Sequence, residues 1–230
     1  MPHPSRLGAL SSELLAFLLA ATCPGCGAAE TVLCDTCRAA LHPSVFERRT
    51  PQGMSVFAAL TFESTAASCI RRLKDGGETL LAAPLGRALG AAVDAAVLGV
   101  AHALQEAAIV PVPTSPTAFR RRGYRVPELL VRRSGSVPHR ALVLRGMRGD
   151  QRGLDAAERA ANVRGTMRAR GAGDGERVLI VDDVMTTGAT LDEAASALAD
   201  AGYDVVAAAV LAVTPRRSER IVNAPETRSK

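Results

Sequence analysis

Apolar residues follow two rhythms along this chain, and the change from one to the other marks its elements. Val178, Leu179, Ile180 and Val181 form an unbroken apolar, largely β-branched run, as expected of a strand buried on both faces of a parallel sheet. From Leu191 the spacing lengthens: Leu191, Ala194, Ala195 and Leu198 give one apolar face of a helix. Between them lie Asp182, Asp183, Val184, Met185, Thr186, Thr187, Gly188, Ala189 and Thr190, so a strand delivers two acids and a small-residue loop to a helix N-terminus. Upstream, Ser55 to Phe62 alternates as a strand does, and Ala66 to Lys74 reads as a helix stopped by Asp75, Gly76 and Gly77. Glu78 to Val100 is a long helical stretch rich in alanine and leucine. Ala107 to Pro113 is a second buried strand, Glu128 to Arg133 a helix and Ala141 to Leu144 a short strand. Strands alternating with helices predict an α/β fold with a parallel sheet flanked by helices.

A helix N-terminus carries unpaired N–H groups and about half a positive charge, which suits a phosphate monoester. Gly188 lets the backbone close around such an anion, the threonine hydroxyls can donate to it, and no side chain from Thr186 to Thr190 is bulky enough to fill the cradle. Asp182 and Asp183 are acceptors, so they suit hydroxyl groups or a cation rather than the phosphate itself. A sugar phosphate meets both demands. Read blandly, the same residues are a buried strand, a turn and a threonine cap.

Near the N-terminus Cys23, Cys26, Cys34 and Cys37 are spaced C-x2-C-x7-C-x2-C. Two such knuckles complete a closed tetrahedral sulfur site that holds structure and does no chemistry. Zinc is the expected metal, with iron the alternative that ligand softness leaves open. Two disulfides or a redox pair would need an oxidising compartment or a thioredoxin-like pattern. Cys69, beside Ile70 and Leu73, is expected in the core.

The chain has 230 residues, 47% of them hydrophobic, and seven aromatic residues without a tryptophan. Its apolar run Leu14 to Ala21 is short, abuts Glu13 and follows a single basic residue, so it suits neither a leader nor an anchor. A soluble, cytoplasmic protein with no membrane partner is expected. Arginine supplies almost all the positive charge, since Lys74 and Lys230 are the only lysines. From Arg120 to Arg170 fourteen arginines face four acids, a surplus of ten in a chain whose total is +5. Such a field attracts pyrophosphate, a nucleotide or a nucleic-acid strand.

The run Val178 to Thr190 resembles the 5-phosphoribosyl 1-pyrophosphate (PRPP) loop of type I phosphoribosyltransferases. The resemblance implies that fold, with Asp182 and Asp183 as ribose ligands and catalytic acids, and Val184 to Thr190 as the PRPP loop. It also implies that Thr114, Ser115, Arg120, Arg121 and Arg122, after the Val-Pro-Val-Pro strand, contact pyrophosphate, and that magnesium accompanies it. Gln151, Leu154, Glu158, Arg159, Asn162 and Gly165, with the four cysteines, resemble the ComF/GntX family. Tyr124 to Pro127, Lys74 to Gly77 and Met167 depart from that family's usual residues. The implied function is binding of PRPP or a related ribose 5-phosphate, with transfer of the phosphoribosyl group to an acceptor the resemblance does not name. The alternative is a non-catalytic single-stranded DNA-binding accessory protein in DNA uptake, working with a helicase. The expected organisation is an N-terminal helix and a four-cysteine, zinc-ribbon-like module over 1–50, a phosphoribosyltransferase-like domain over 51–214 and a disordered tail over 215–230. Nothing in the sequence indicates an oligomeric state.

Overall fold

The structure, a computed structural model, describes residues 21–99, 107–145 and 165–215. The N-terminal helix expected before residue 21, the arginine- and glycine-rich loop over 146–164 and the tail beyond 215 lie outside the described residues.

The architecture is mixed α/β with a mostly parallel five-stranded sheet. Its strands are β1 (Phe46–Arg49), β2 (Ser55–Thr61), β3 (Ala108–Pro111), β6 (Arg177–Met185) and β7 (Asp204–Val213), in the order β1-β2-β7-β6-β3. Only β1 runs antiparallel to its neighbour. β1 and β2 form a hairpin, which places residues 46–49, ahead of the expected boundary at 51, in the main sheet. β4 (Leu142–Leu144) and β5 (Met167–Ala169) make a separate antiparallel pair. The helices are α1 (Asp35–Ala39), α2 (Ser64–Asp75), α3 (Ala82–Gly99, entered by a 3-10 turn), α4 (Pro116–Arg122), α5 (Val126–Arg133) and α6 (Ala189–Ala199).

Two apolar layers sandwich the sheet. Because side chains alternate along a strand, Leu179 and Val181 of β6 meet α2, α3 and α5 on one face, while Val178 and Ile180 meet α6, β4 and β5 on the other. β6 is thus buried on both sides, as its unbroken apolar run requires. α3 crosses the first face so closely to α5 that a Cβ on Gly86 would lie 2.3 Å from Arg133 Cβ. Among the described residues one helical stretch, 79–99, is long and apolar enough to span a membrane, yet half of it is buried inside the fold. Leu85, Leu89, Ala92 and Ala96 pack in the first layer. Cys69 is fully buried there, as expected.

Candidate functional site

β3 and β6 are adjacent parallel strands, but the chain leaves them towards opposite faces of the sheet. From β3 it runs through α4 to α5, which packs with α3, whereas from β6 it enters α6 on the other face. In open α/β sheets such a divergence marks where the ligand-binding crevice usually lies, at the carboxyl ends of the strands. Asp182 and Asp183 lie at this edge near the carboxyl end of β6, just past its pairing with β3, and the strand continues beside β7 through Val184 and Met185 rather than ending at the acids. The loop Thr114–Ser115 follows β3 at the same edge, since Val112 N donates to Val181 O at 2.8 Å.

The two acids have different surroundings. Asp183 is buried and its Oδ1 accepts from Lys74 Nζ at 2.8 Å. Asp182 is half-buried, and its Oδ1 accepts from the Asp183 N–H at 2.8 Å. Burial first, and then the neighbouring Asp183 charge, push the Asp182 carboxyl up to about 7; the Asp183 N–H and Lys74 offset only part of this.

The loop after them has the local form the sequence suggests. Thr186 and Thr187 are exposed, and Gly188 caps α6 with φ +88°, a left-handed conformation that glycine adopts without strain. Gly188 is also buried against the β1–β2 turn, where a Cβ would lie 3.1 Å from Pro51 Cδ and 3.3 Å from Thr50 Cα. The first turns of α6 hold the surroundings of the loop. Asp192 Oδ2 accepts from Gln52 N at 3.3 Å, and Glu193 accepts from Gly165 N and Met167 N, both at 2.9 Å. Both acids are buried. They occupy the side of α6 where polar exposure would be expected, because backbone N–H groups of two neighbouring segments need acceptors there.

α4 carries the arginine cluster, its seven residues being initiated by Ser115, whose Oγ accepts from Ala118 N at 3.2 Å. Three adjacent guanidiniums, with no anion near, would repel one another. The structure shows instead that the chain supplies an anion: Asp75 Oδ1 accepts from Arg121 Nη2 at 2.7 Å and from Arg122 Nη2 at 3.5 Å. Arg120 is exposed. Tyr124 donates its hydroxyl to the Leu73 carbonyl. The last turn of α2, Leu73 to Asp75, therefore joins the acids of β6 to the basic end of α4. Sequence reasoning missed Lys74; its signal was its isolation as one of two lysines in an arginine-rich chain.

The cysteine module packs on the first layer through Cys23, Leu33, Cys37 and Leu41. The four sulfurs lie within 4.8 Å of one another, with Cys23 Sγ 3.7 Å and Cys26 Sγ 3.6 Å from Cys34 Sγ. A tetrahedral zinc site with bonds of about 2.3 Å has sulfurs roughly 3.8 Å apart, so the cluster fits such an ion. Burial opposes ionisation of Cys23, but hydrogen bonds from the backbone of Cys34, Cys26 and Gly25 and from Cys37 outweigh it and bring the thiol down to about 6. Cys37 is pushed up to about 12 by burial and by the neighbouring thiols.

A strand, an acid pair, a small-residue loop and a helix N-terminus lie together at the edge of a parallel sheet, an arrangement that can offer backbone N–H groups to an anion and carboxylates to donors or a cation. Residues 134–228 match the family model described as phosphoribosyl transferase domain, a stretch that contains β6, both acids, the loop, α6 and β7. Adenine phosphoribosyltransferase of Kineococcus radiotolerans is 46% identical over 81 residues, which are 35% of this chain and 38% of that protein. The chain thus spans well under half of the curated relative it matches. Among solved structures, orotate phosphoribosyltransferase from Aeropyrum pernix aligns at 19% identity with a TM-score of 0.33, over 76% of this chain and 77% of that one. The allosteric regulatory enzyme of purine biosynthesis aligns at 20% identity with a TM-score of 0.33, over 57% of this chain and 26% of that one.

Proposed function

We propose that the crevice at the ends of β3 and β6 binds PRPP or a related ribose 5-phosphate, and that the chain transfers the phosphoribosyl group to an acceptor. The observation that carries this reading is the pairing of Asp182 and Asp183 with a glycine-capped loop at the start of α6, within the stretch matched by the phosphoribosyl transferase domain. In this reading the 5-phosphate lies against Thr186 to Thr190, and the ribose hydroxyls donate to the two carboxylates. Thr114, Ser115 and the arginines of α4 face the pyrophosphate.

The carboxylates are hard oxygen donors at one edge, a donor set that suits magnesium. Asp182 and Asp183 would hold magnesium, which when bound would neutralise charge on the pyrophosphate. The protein's own contribution is positional and electrostatic. The acids fix the diol, α6 and its loop fix the phosphate, and the guanidiniums favour charge gathering on the departing pyrophosphate. Displacement at the anomeric carbon has oxocarbenium character, as in glycoside cleavage, and needs no protein nucleophile. With four cysteines in the N-terminal module, the same reading places the chain in the ComF/GntX family, with zinc in a structural site.

Calorimetric titration with PRPP and with a single-stranded oligonucleotide, each with and without magnesium, tests this. Magnesium-dependent PRPP binding is expected. Oligonucleotide binding without any PRPP binding would favour the DNA-uptake role and overturn the reading.

A further inference from the structure

The final turn of α2 touches both the acids of β6 and the arginines of α4. Lys74 Nζ reaches Asp183 Oδ1 at 2.8 Å, and the next residue, Asp75, holds Arg121 and Arg122. Lys74 and Asp183 are 109 residues apart in sequence, so only the fold makes this pair. Its two members are unequally covered: the Asp183 side chain is 9% exposed and that of Lys74 is 29% exposed. A buried carboxylate cannot be left without a partner at little cost, but an ammonium with access to water can leave one partner for another. The neighbouring Arg122 adds a second sign of an anionic ligand. Its side chain is 14% exposed, and its buried Nε has no hydrogen-bond partner among the described residues. A buried donor in that state favours any acceptor that reaches it.

We infer that Lys74 is a binding residue of this site: its ammonium is the counter-ion of Asp183 in the ligand-free protein, is replaced there by a divalent cation arriving with a pyrophosphate, and then pairs with pyrophosphate oxygens. The inference rests on the ribose-phosphate reading above and extends it to the order in which charges are matched. An ammonium and a divalent cation on the same carboxylate oxygen repel each other, so the cation alone competes poorly with Lys74. Pyrophosphate gives the displaced ammonium a new partner and removes that competition. Metal binding is thereby made dependent on the phosphate ligand.

The test is the affinity for Mn2+, followed by electron paramagnetic resonance in the absence of PRPP. It compares the full-length wild-type chain with K74M, K74R and R72Q. Arg72 lies on the same helix, carries the same charge and pairs with Glu78 instead of the acids. K74M is expected to bind Mn2+ about tenfold more tightly than wild type, while K74R and R72Q stay within about twofold, a tenfold change being about 1.4 kcal/mol. With Mn2+ saturating, K74M is expected to bind PRPP about tenfold more weakly. Unchanged Mn2+ affinity in K74M, or an equal gain in R72Q, overturns the inference. If K74M does not melt cooperatively, K74Q carries the same titration with the same two readings. A wild-type chain that binds no PRPP overturns the ribose-phosphate reading itself, whereas PRPP binding by wild type with unchanged Mn2+ affinity in K74M overturns this inference alone.

Discussion

The cysteine module and the edge of the sheet are shaped by opposite means. In the module, four sulfurs lie within 4.8 Å of one another and could hold a metal, and the short segment has few apolar residues of its own to bury. At the sheet edge, Asp182, Asp183 and Gly188 are carried by a strand and a helix whose apolar sides are already buried in two packed layers. If the module holds a metal, as proposed, one region takes its shape from a ligand, and the other has its shape before a ligand comes. Stability and binding should therefore separate when each is disturbed.

The largest expected effect is in the module. Stripping its metal with a chelator, or making Cys37→Ser, removes a contribution on the order of 10 kcal/mol to that segment. Hydrogen exchange should rise through residues 21–42 while β6 and β7 stay protected. Loss of protection in both regions would show that the comparison is drawn too sharply. Next, Glu193→Ala orphans the Gly165 and Met167 N–H groups, one of them buried, and should lower stability by about 2–3 kcal/mol in urea denaturation. Glu193→Gln should recover part of that, because its one carbonyl oxygen still accepts.

Gly188→Ala combines a positive φ with a Cβ 3.1 Å from Pro51 Cδ, and should cost about 1–2 kcal/mol. The same denaturation curves read it. If the loop is the phosphate cradle, PRPP affinity falls in this variant by more than stability alone accounts for. The remaining effect is one of pH. Asp182 titrates near 7 in the folded chain against 3.8 for an ordinary aspartate, so between those values the native state holds a proton that the unfolded state has released. Stability of the ligand-free protein should fall as pH rises from about 4 to about 7 and level off above. Asp182→Asn should flatten that slope.

The parts legible in the sequence are those set by local pattern. β6, the loop and α6 follow from a buried apolar run, two acids and a change of period, and the paired cysteine knuckles from their spacing. β7 was not legible in the same way. Its Ala207, Ala208, Ala209 and Ala212 have little β-propensity, and the run becomes a central strand only because β2 and β6 pair on either side of it. β1, four residues with two arginines, has no apolar face to announce it. On α6 the expected apolar position Ala195 is half-buried while Ala197 is buried, and Asp192 and Glu193 join it inside because they serve the backbone of other segments. Asp75 answers the arginine cluster, and Lys74 answers Asp183, across sequence distances that no local pattern encodes.

The central claim is that the acid pair and the loop form one ribose-phosphate site. Its most direct test is a magnesium-dependent PRPP titration of wild type against the D182N/D183N double variant, with melting curves to establish that both are folded. The account predicts saturable binding by wild type and a loss of at least about a hundredfold in the variant, roughly 2.7 kcal/mol. Equal binding by the two folded proteins, or no binding by either, would contradict it.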